Sequence, residues 1–181
     1  AYVFGGDVRD LESRKIHVDV VPIPVDEDGA KAERMPSMVA KSLDRRSRKP
    51  VFGWQSLQQF YGKRRKIDYL KHGVSIFRSV KSDLGSSKVY PHSCDPELNT
   101  PEKVAAAIIG KLVQHAKDCL SGYNLRRART VITVPASLSE SGRKDTLRAA
   151  ADAGLDPSLV ELIDEPVAAL LDWLNHGRSA A

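Results

Sequence analysis

The chain has 181 residues, 41% of them hydrophobic and 28% charged, with two cysteines and a formal net charge of +5. Those proportions suit a folded domain that buries a core without disulfides or structural metal, and they exclude wholesale disorder. Its apolar runs all fall short of the ~18 residues a membrane helix needs, and residues 1–15 carry acidic Asp7 and Asp10 where a secretory leader is apolar, so the expectation is a cytoplasmic protein.

Residues 1–40 read as strands. Ala1-Tyr2-Val3-Phe4 is apolar up to the turn signal Gly5-Gly6-Asp7, and Ile16, Val18 and Val20 alternate with His17 and Asp19 until Pro22 and Pro24. Asp26-Glu27-Asp28-Gly29 reads as a turn, and Met38-Val39-Ala40 as a further short strand.

The middle of the chain reads as irregular to helical, and its charge sets it apart. Lys41 to Lys81 holds twelve Lys/Arg against Asp44 and Asp68, a local net of +10, whereas the rest carries 16 basic and 21 acidic residues. Six of the eleven aromatics also fall there: Phe52, Trp54, Phe60, Tyr61, Tyr69 and Phe77. Cations interleaved with rings suit an acidic partner or nucleic acid, with Lys63, Arg64, Arg65 and Lys66 as the densest patch; the plainer alternative is a solvated face over a small aromatic core. The shift in composition marks residues 41–98 as an inserted unit.

The last third is clearer. Thr100-Pro101 supplies an N-cap and a proline at the first helical position, after which Val104, Ile108, Leu112 and Ala116 recur at i, i+4. Thr130-Val131-Ile132-Thr133-Val134 reads as a buried strand ending at Pro135. A helix spans about 139–153, ended by Gly154 with Leu155 behind it. Leu159 to Ile163 forms another strand, and Asp164-Glu165-Pro166 opens a helix with apolar Ala168, Ala169, Leu171 and Leu174. Helices alternating with strands in this way predict an α/β layer with parallel strands.

One ordered series carries a resemblance. Val131-Ile132-Thr133-Val134-Pro135-Ala136, then Arg143, then Ala153-Gly154-Leu155, then Leu162-Ile163-Asp164-Glu165-Pro166-Val167-Ala168-Ala169, resembles the ATPase domain of the 70-kilodalton heat-shock (DnaK-type) chaperones. Met35-Pro36-Ser37 and Val51-Phe52-Gly53 are weaker anchors of the same resemblance. It implies an α/β, actin-like (ribonuclease H-like) ATPase lobe, with residues 1–40 and 99–181 as half of the large subdomain and 41–98 as the inserted small α+β subdomain. The implied ligands are ATP and Mg in the complete domain. The implied partners are the remaining ATPase lobe and a substrate-binding domain, with co-chaperones or clients beyond them.

The resemblance also assigns residues. Glu165 falls at the glutamate that faces metal and attacking water, Pro135 at a proline that relays nucleotide state, and Arg143 at the arginine that reports it. As bare residues these are a helix-start acid, a strand terminator and an exposed helix residue. Asp164 sets a second carboxylate beside Glu165, but adjacent residues at a strand end point apart, which argues against a shared proton. The family's catalytic lysine is expected four positions beyond Gly53, where Leu57 stands, and leucine cannot orient water or offset phosphate charge.

The family's two Asp-x-Gly-Thr/Ser phosphate hairpins are expected outside these residues, so this stretch alone is expected neither to bind nor to hydrolyse ATP. Asp83-Leu84-Gly85-Ser86-Ser87 matches that string, but it lies inside the insertion with no β-rich run read before it, so it is taken as a coincidence. A zinc site from His92, Cys94, His115 and Cys119 lacks the loop spacing of zinc domains, and Cys119 reads instead as a small packed residue.

Overall fold

In the computed structural model the described residues are 2–4, 18–20, 23–24, 31–32, 35–42, 49–53, 56, 74–90, 96–119 and 128–177. They fall in two compact units, Ala1–Arg78 with Lys111–Tyr123, and Ser79–Gly110 with Asn124–Ala181. These limits differ from the composition boundaries near residues 41 and 98.

The first unit is built from short antiparallel pairings. Strand β1 (Tyr2–Phe4) pairs with β2 (Val18–Val20), and β3 (Ile23–Pro24) with β4 (Lys31–Ala32). Strand β5 (Met38–Ser42) runs between β6 (Val51–Phe52) and β7 (Val74–Arg78), antiparallel to both. A central strand has no free edge, and its run Met38-Val39-Ala40 is buried accordingly, while Phe77, opposite Val39, is buried on β7. The middle of the chain is therefore partly sheet, contrary to the irregular-to-helical expectation. Val74-Ser75-Ile76 carries the period-2 alternation of a strand, masked in the sequence by the surrounding basic residues.

The second unit is α/β. Strand β8 (Thr130–Val134) lies parallel to β9 (Val160–Asp164), in a register that sets Val134 beside Asp164. Helix α1 (Pro101–Cys119), of which residues 101–110 belong to this unit, begins at the predicted proline, and the Lys103 amide reaches Thr100 Oγ1 at 3.4 Å. Its apolar stripe is buried only at the start, at Pro101 and Val104.

Helix α2 (Glu140–Asp152) is capped at both ends. Ser139 Oγ accepts the Gly142 amide at 3.2 Å, an N-cap worth about 1 kcal/mol. At the other end Gly154, at φ +86°, donates to the Ala151 carbonyl, and buried Leu155 donates to that of Ala150. That pair of bonds is the Schellman ending, which needs a left-handed residue.

Helix α3 (Glu165–Gly177) starts directly where β9 stops and packs on β8 and β9, as α2 packs on β9. Among the described residues of this unit, Val80, Leu84, Leu98, Val104, Val134, Ala149, Ala150, Leu155 and Val160 are buried, with Pro101. Two surfaces depart from expectation. Strand β8 is not buried throughout, since Val131 and Thr133 face outward. On α3 the stripe Val167, Leu170, Leu171 and Leu174 is exposed, and Trp173 is 67% exposed. No helix among the described residues is long and apolar enough to cross a membrane.

Candidate functional site

Parallel strands end on the same side of their sheet, and in open α/β sheets that edge is where ligands gather. Here β8 runs into Pro135 and β9 into Glu165, so Thr133, Asp164 and Glu165 share one edge. The Pro135 carbonyl accepts the Leu138 amide at 3.0 Å, a turn that redirects the chain into α2.

A lysine from far away in sequence reaches this edge. Lys81, in the 3-10 turn Val80–Asp83, pairs with Glu165 Oε1 across 84 positions and donates to the Thr133 carbonyl at 3.1 Å. At the same edge, Arg143 Nη2 of α2 pairs with Asp164 Oδ1. The two neighbouring carboxylates thus point to different cations, as their places at a strand end predict. Lys81 and Glu165 are each more than a third exposed, and such pairs contribute at most about 1 kcal/mol of stability.

The segment that carries Lys81 is held firmly. Its fully buried Val80 anchors the turn, and Ser79 before it sits in the left-handed region at φ 53°, sparsely populated for a residue with a side chain. Asp83 Oδ2 accepts from Lys88 Nζ at 2.7 Å and from the Tyr90 hydroxyl at 3.0 Å, and the Lys88 ammonium stands 5.4 Å from the Tyr90 ring centre. The Lys88 hydrogen bond above all, with Tyr90's, holds the Asp83 carboxyl below its ordinary range against a smaller opposing effect of burial. Burial first, then the bond to Asp83, pushes the Tyr90 phenol well above its own range. Finally, the Tyr90 amide donates to the Asn99 carbonyl at 2.8 Å.

The string Asp83-Leu84-Gly85-Ser86-Ser87 belongs to this same segment. It does follow a strand, β7, contrary to the sequence reading, but through a 3-10 turn and not in a tight hairpin. Three of its amides are engaged within the protein: Leu84 donates to the Lys81 carbonyl, Ser86 to that of Asp83, and Gly85 to Asp145 Oδ2 at 2.9 Å. A phosphate cradle needs such N–H groups free.

Of the other sequence-derived residues, Leu57, Lys63, Arg64, Arg65, Lys66, His92 and Cys94 lie outside the described residues. Arg143 is half-buried and paired, not simply an exposed helix residue. Cys119 is exposed, not packed, with its Sγ 3.5 Å from His115 Nε2 one turn back. Its stripe position did not bury it because α1 is covered mainly near its start. Among the described residues no three or more His, Cys, Asp or Glu side chains cluster as metal ligands. Lys81 was missed altogether. The available signal was a strand-like alternation at 74–77 followed within a few residues by a lysine and a turn.

The sequence profile described as "Hsp70 protein" matches residues 54–173, well over half of the chain and both ion pairs. The chain belongs to the Hsp70 family. Among its curated relatives, a "Chaperone protein dnaK" of Thalassiosira pseudonana is 35% identical over 97 residues, covering 54% of this chain and 15% of that protein. A "Chaperone protein dnaK" of Cyanidium caldarium is 33% identical over 124 residues, covering 68% of this chain and 19% of that protein. These residues of the Hsp70-family chain therefore span less than a fifth of the length of either relative.

Proposed function

We propose that these residues form part of the nucleotide-binding (ATPase) lobe of a DnaK-like chaperone, an actin-like lobe that binds Mg-ATP when complete. The observation that carries this reading is the meeting of Lys81, Glu165 and the Thr133 carbonyl at the carboxyl edge of two parallel strands. In phosphoryl transfer the protein's work is positioning and charge stabilisation. A lysine ammonium offsets charge that develops on phosphate, and a carboxylate next to it orients an attacking water through that water's proton. On this reading Lys81 supplies a lysine beside the acidic edge, the role for which position 57 offers only a leucine.

Asp164 and Glu165 are hard oxygen donors of the kind magnesium accepts, mostly through its own waters, so the residues present fit the metal that accompanies ATP. Arg143, tied to Asp164, is suited to report the state of this edge through α2. The exposed stripe of α3 and the outward face of β8 suit coverage by the remainder of the lobe, the first expected partner. A cytoplasmic location goes with this reading.

Calorimetric titration of the full-length protein with Mg-ATP and Mg-ADP tests the proposal. Micromolar binding of both nucleotides is the expected result. No heat at millimolar nucleotide would remove the reading.

A further inference from the structure

Gly85 is gripped on both sides by one helix. Its N–H donates to Asp145 Oδ2 at 2.9 Å, and its carbonyl accepts from Ser141 Oγ at 3.0 Å, two side chains one turn apart on α2. The approach leaves no room for a side chain. A Cβ on Gly85 would lie 2.5 Å from the Gly142 nitrogen, and one on Gly142 would lie 3.1 Å from the Leu84 carbonyl. Gly85 also has φ +82°.

Asp145 is only 18% exposed, whereas its other partner, Arg148, is 64% exposed. A carboxylate this covered needs hydrogen-bond partners, and the Gly85 amide supplies one at Oδ2, away from Oδ1 where the exposed arginine binds. On the same helix Arg143 holds Asp164, the residue next to Glu165. One rigid element therefore fixes the segment that carries Lys81 and the strand end that carries Glu165.

We propose that Asp145, assisted by Ser141, is a positioning residue that sets Lys81 against Glu165 by pinning the Gly85 peptide to α2. This rests on the reading of the Lys81–Glu165 edge as the place where phosphate chemistry is served. Asp145 acts through Lys81 and need not touch substrate. Loss of its carboxylate frees the Gly85 amide, loosens the segment from Ser79 to Tyr90, and moves Lys81 off the geometry that turnover needs.

The test uses the full-length protein with Asp145→Ala, Asp145→Asn, Lys81→Ala and the Asp145→Ala/Lys81→Ala double variant. It measures steady-state ATP turnover together with hydrogen exchange of the peptide spanning Leu84 to Ser86. Asp145→Ala should lower kcat by about ten- to a hundredfold, with KM nearly unchanged, since misplacement by about an ångström has that effect. Asp145→Asn, which keeps an acceptor oxygen, should recover most of the loss. In the Lys81→Ala background the Asp145 substitution should add almost nothing, because both act through one group. Exchange at Gly85 should accelerate in Asp145→Ala and not in Lys81→Ala.

A loss in Asp145→Ala that persists in full in the Lys81→Ala background would overturn the proposal. So would unchanged Gly85 exchange in Asp145→Ala, whatever turnover does. If Lys81→Ala leaves turnover intact, the functional reading of the edge fails instead, and Gly85 exchange still decides whether Asp145 pins the segment.

Discussion

Asp164 and Glu165 are consecutive in sequence, yet each carboxylate meets a cation from a different element, Arg143 of α2 and Lys81 of the 3-10 turn. The strand-to-helix junction makes this possible. Asp164 is the last residue of β9 and Glu165 the first of α3, so their side chains leave the backbone in different directions. A shared-proton dyad needs the two groups together; here they are separated, and each faces a cation of its own.

Lys81→Ala and Glu165→Gln should both lower ATP turnover of the full-length protein by about a hundredfold, the scale seen when one stabilising group is removed. Nucleotide affinity should change far less. Single-turnover kinetics beside equilibrium binding checks this, and turnover within about twofold of the unaltered protein in Lys81→Ala would break the link between this pair and chemistry.

Two glycines make a controlled comparison of strain. Gly154 has φ +86°, and nothing lies within 4 Å of where a Cβ would stand, so Gly154→Ala should cost only the left-handed penalty, about 1–2 kcal/mol. Gly85→Ala meets that penalty and the backbone of Gly142 as well, and overpacking adds roughly 1–3 kcal/mol. Urea midpoints should rank the unaltered protein above Gly154→Ala, and Gly154→Ala above Gly85→Ala.

Those two glycines also show what sequence alone could reveal. Gly154 ended a periodic helix and preceded a leucine, so its role was written in local pattern, as were the Thr100-Pro101 helix start and the strand pair 130–134 and 159–163. Gly85 stood in a string that resembled a phosphate hairpin, and its real constraint comes from Gly142, Ser141 and Asp145 on a helix more than fifty positions later. For the same reason Lys81 has only the strand-like alternation at 74–77 to announce it. Its partners Thr133 and Glu165 are set by tertiary packing, and reckoning from Gly53 pointed to Leu57 instead. The burial of β8 was over-read because β-branched composition reports strand preference, not which face is covered.

Arg143→Ala removes the cation of Asp164 and one of the two restraints on this strand end, while the pairing of β9 with β8 still holds Glu165 near Lys81. The pair is about one-third exposed on each side, so its loss should cost no more than about 1 kcal/mol in urea unfolding. Basal turnover of the full-length protein should change by about threefold or less, since the arginine touches no reacting group in this arrangement. The effect should appear in nucleotide-dependent release of a bound peptide, followed by fluorescence anisotropy. Normal ATP-driven release in Arg143→Ala would exclude a reporting role.

Acid should unfasten the Asp83 hook. Its carboxyl is depressed in the folded protein, chiefly by the Lys88 hydrogen bond, so the stabilisation is present above the unfolded carboxyl range near 4 and is lost as pH falls through the lower folded value. Hydrogen exchange of the segment 79–90 should therefore quicken below about pH 4, relative to the intrinsic rate, while Asp83→Asn removes that acid step. The alkaline side has the opposite sign. Tyr90 is raised, so its bond to Asp83 stabilises the fold below the unfolded phenol value near 10 and is lost only as pH climbs through the higher folded one. Ultraviolet titration should show a tyrosine that ionises late and vanishes in Tyr90→Phe, and Asp83→Asn should bring that transition to lower pH by removing the neighbouring negative charge. A late transition unmoved by Asp83→Asn would mean burial alone holds the phenol, and the hook would not extend to Tyr90.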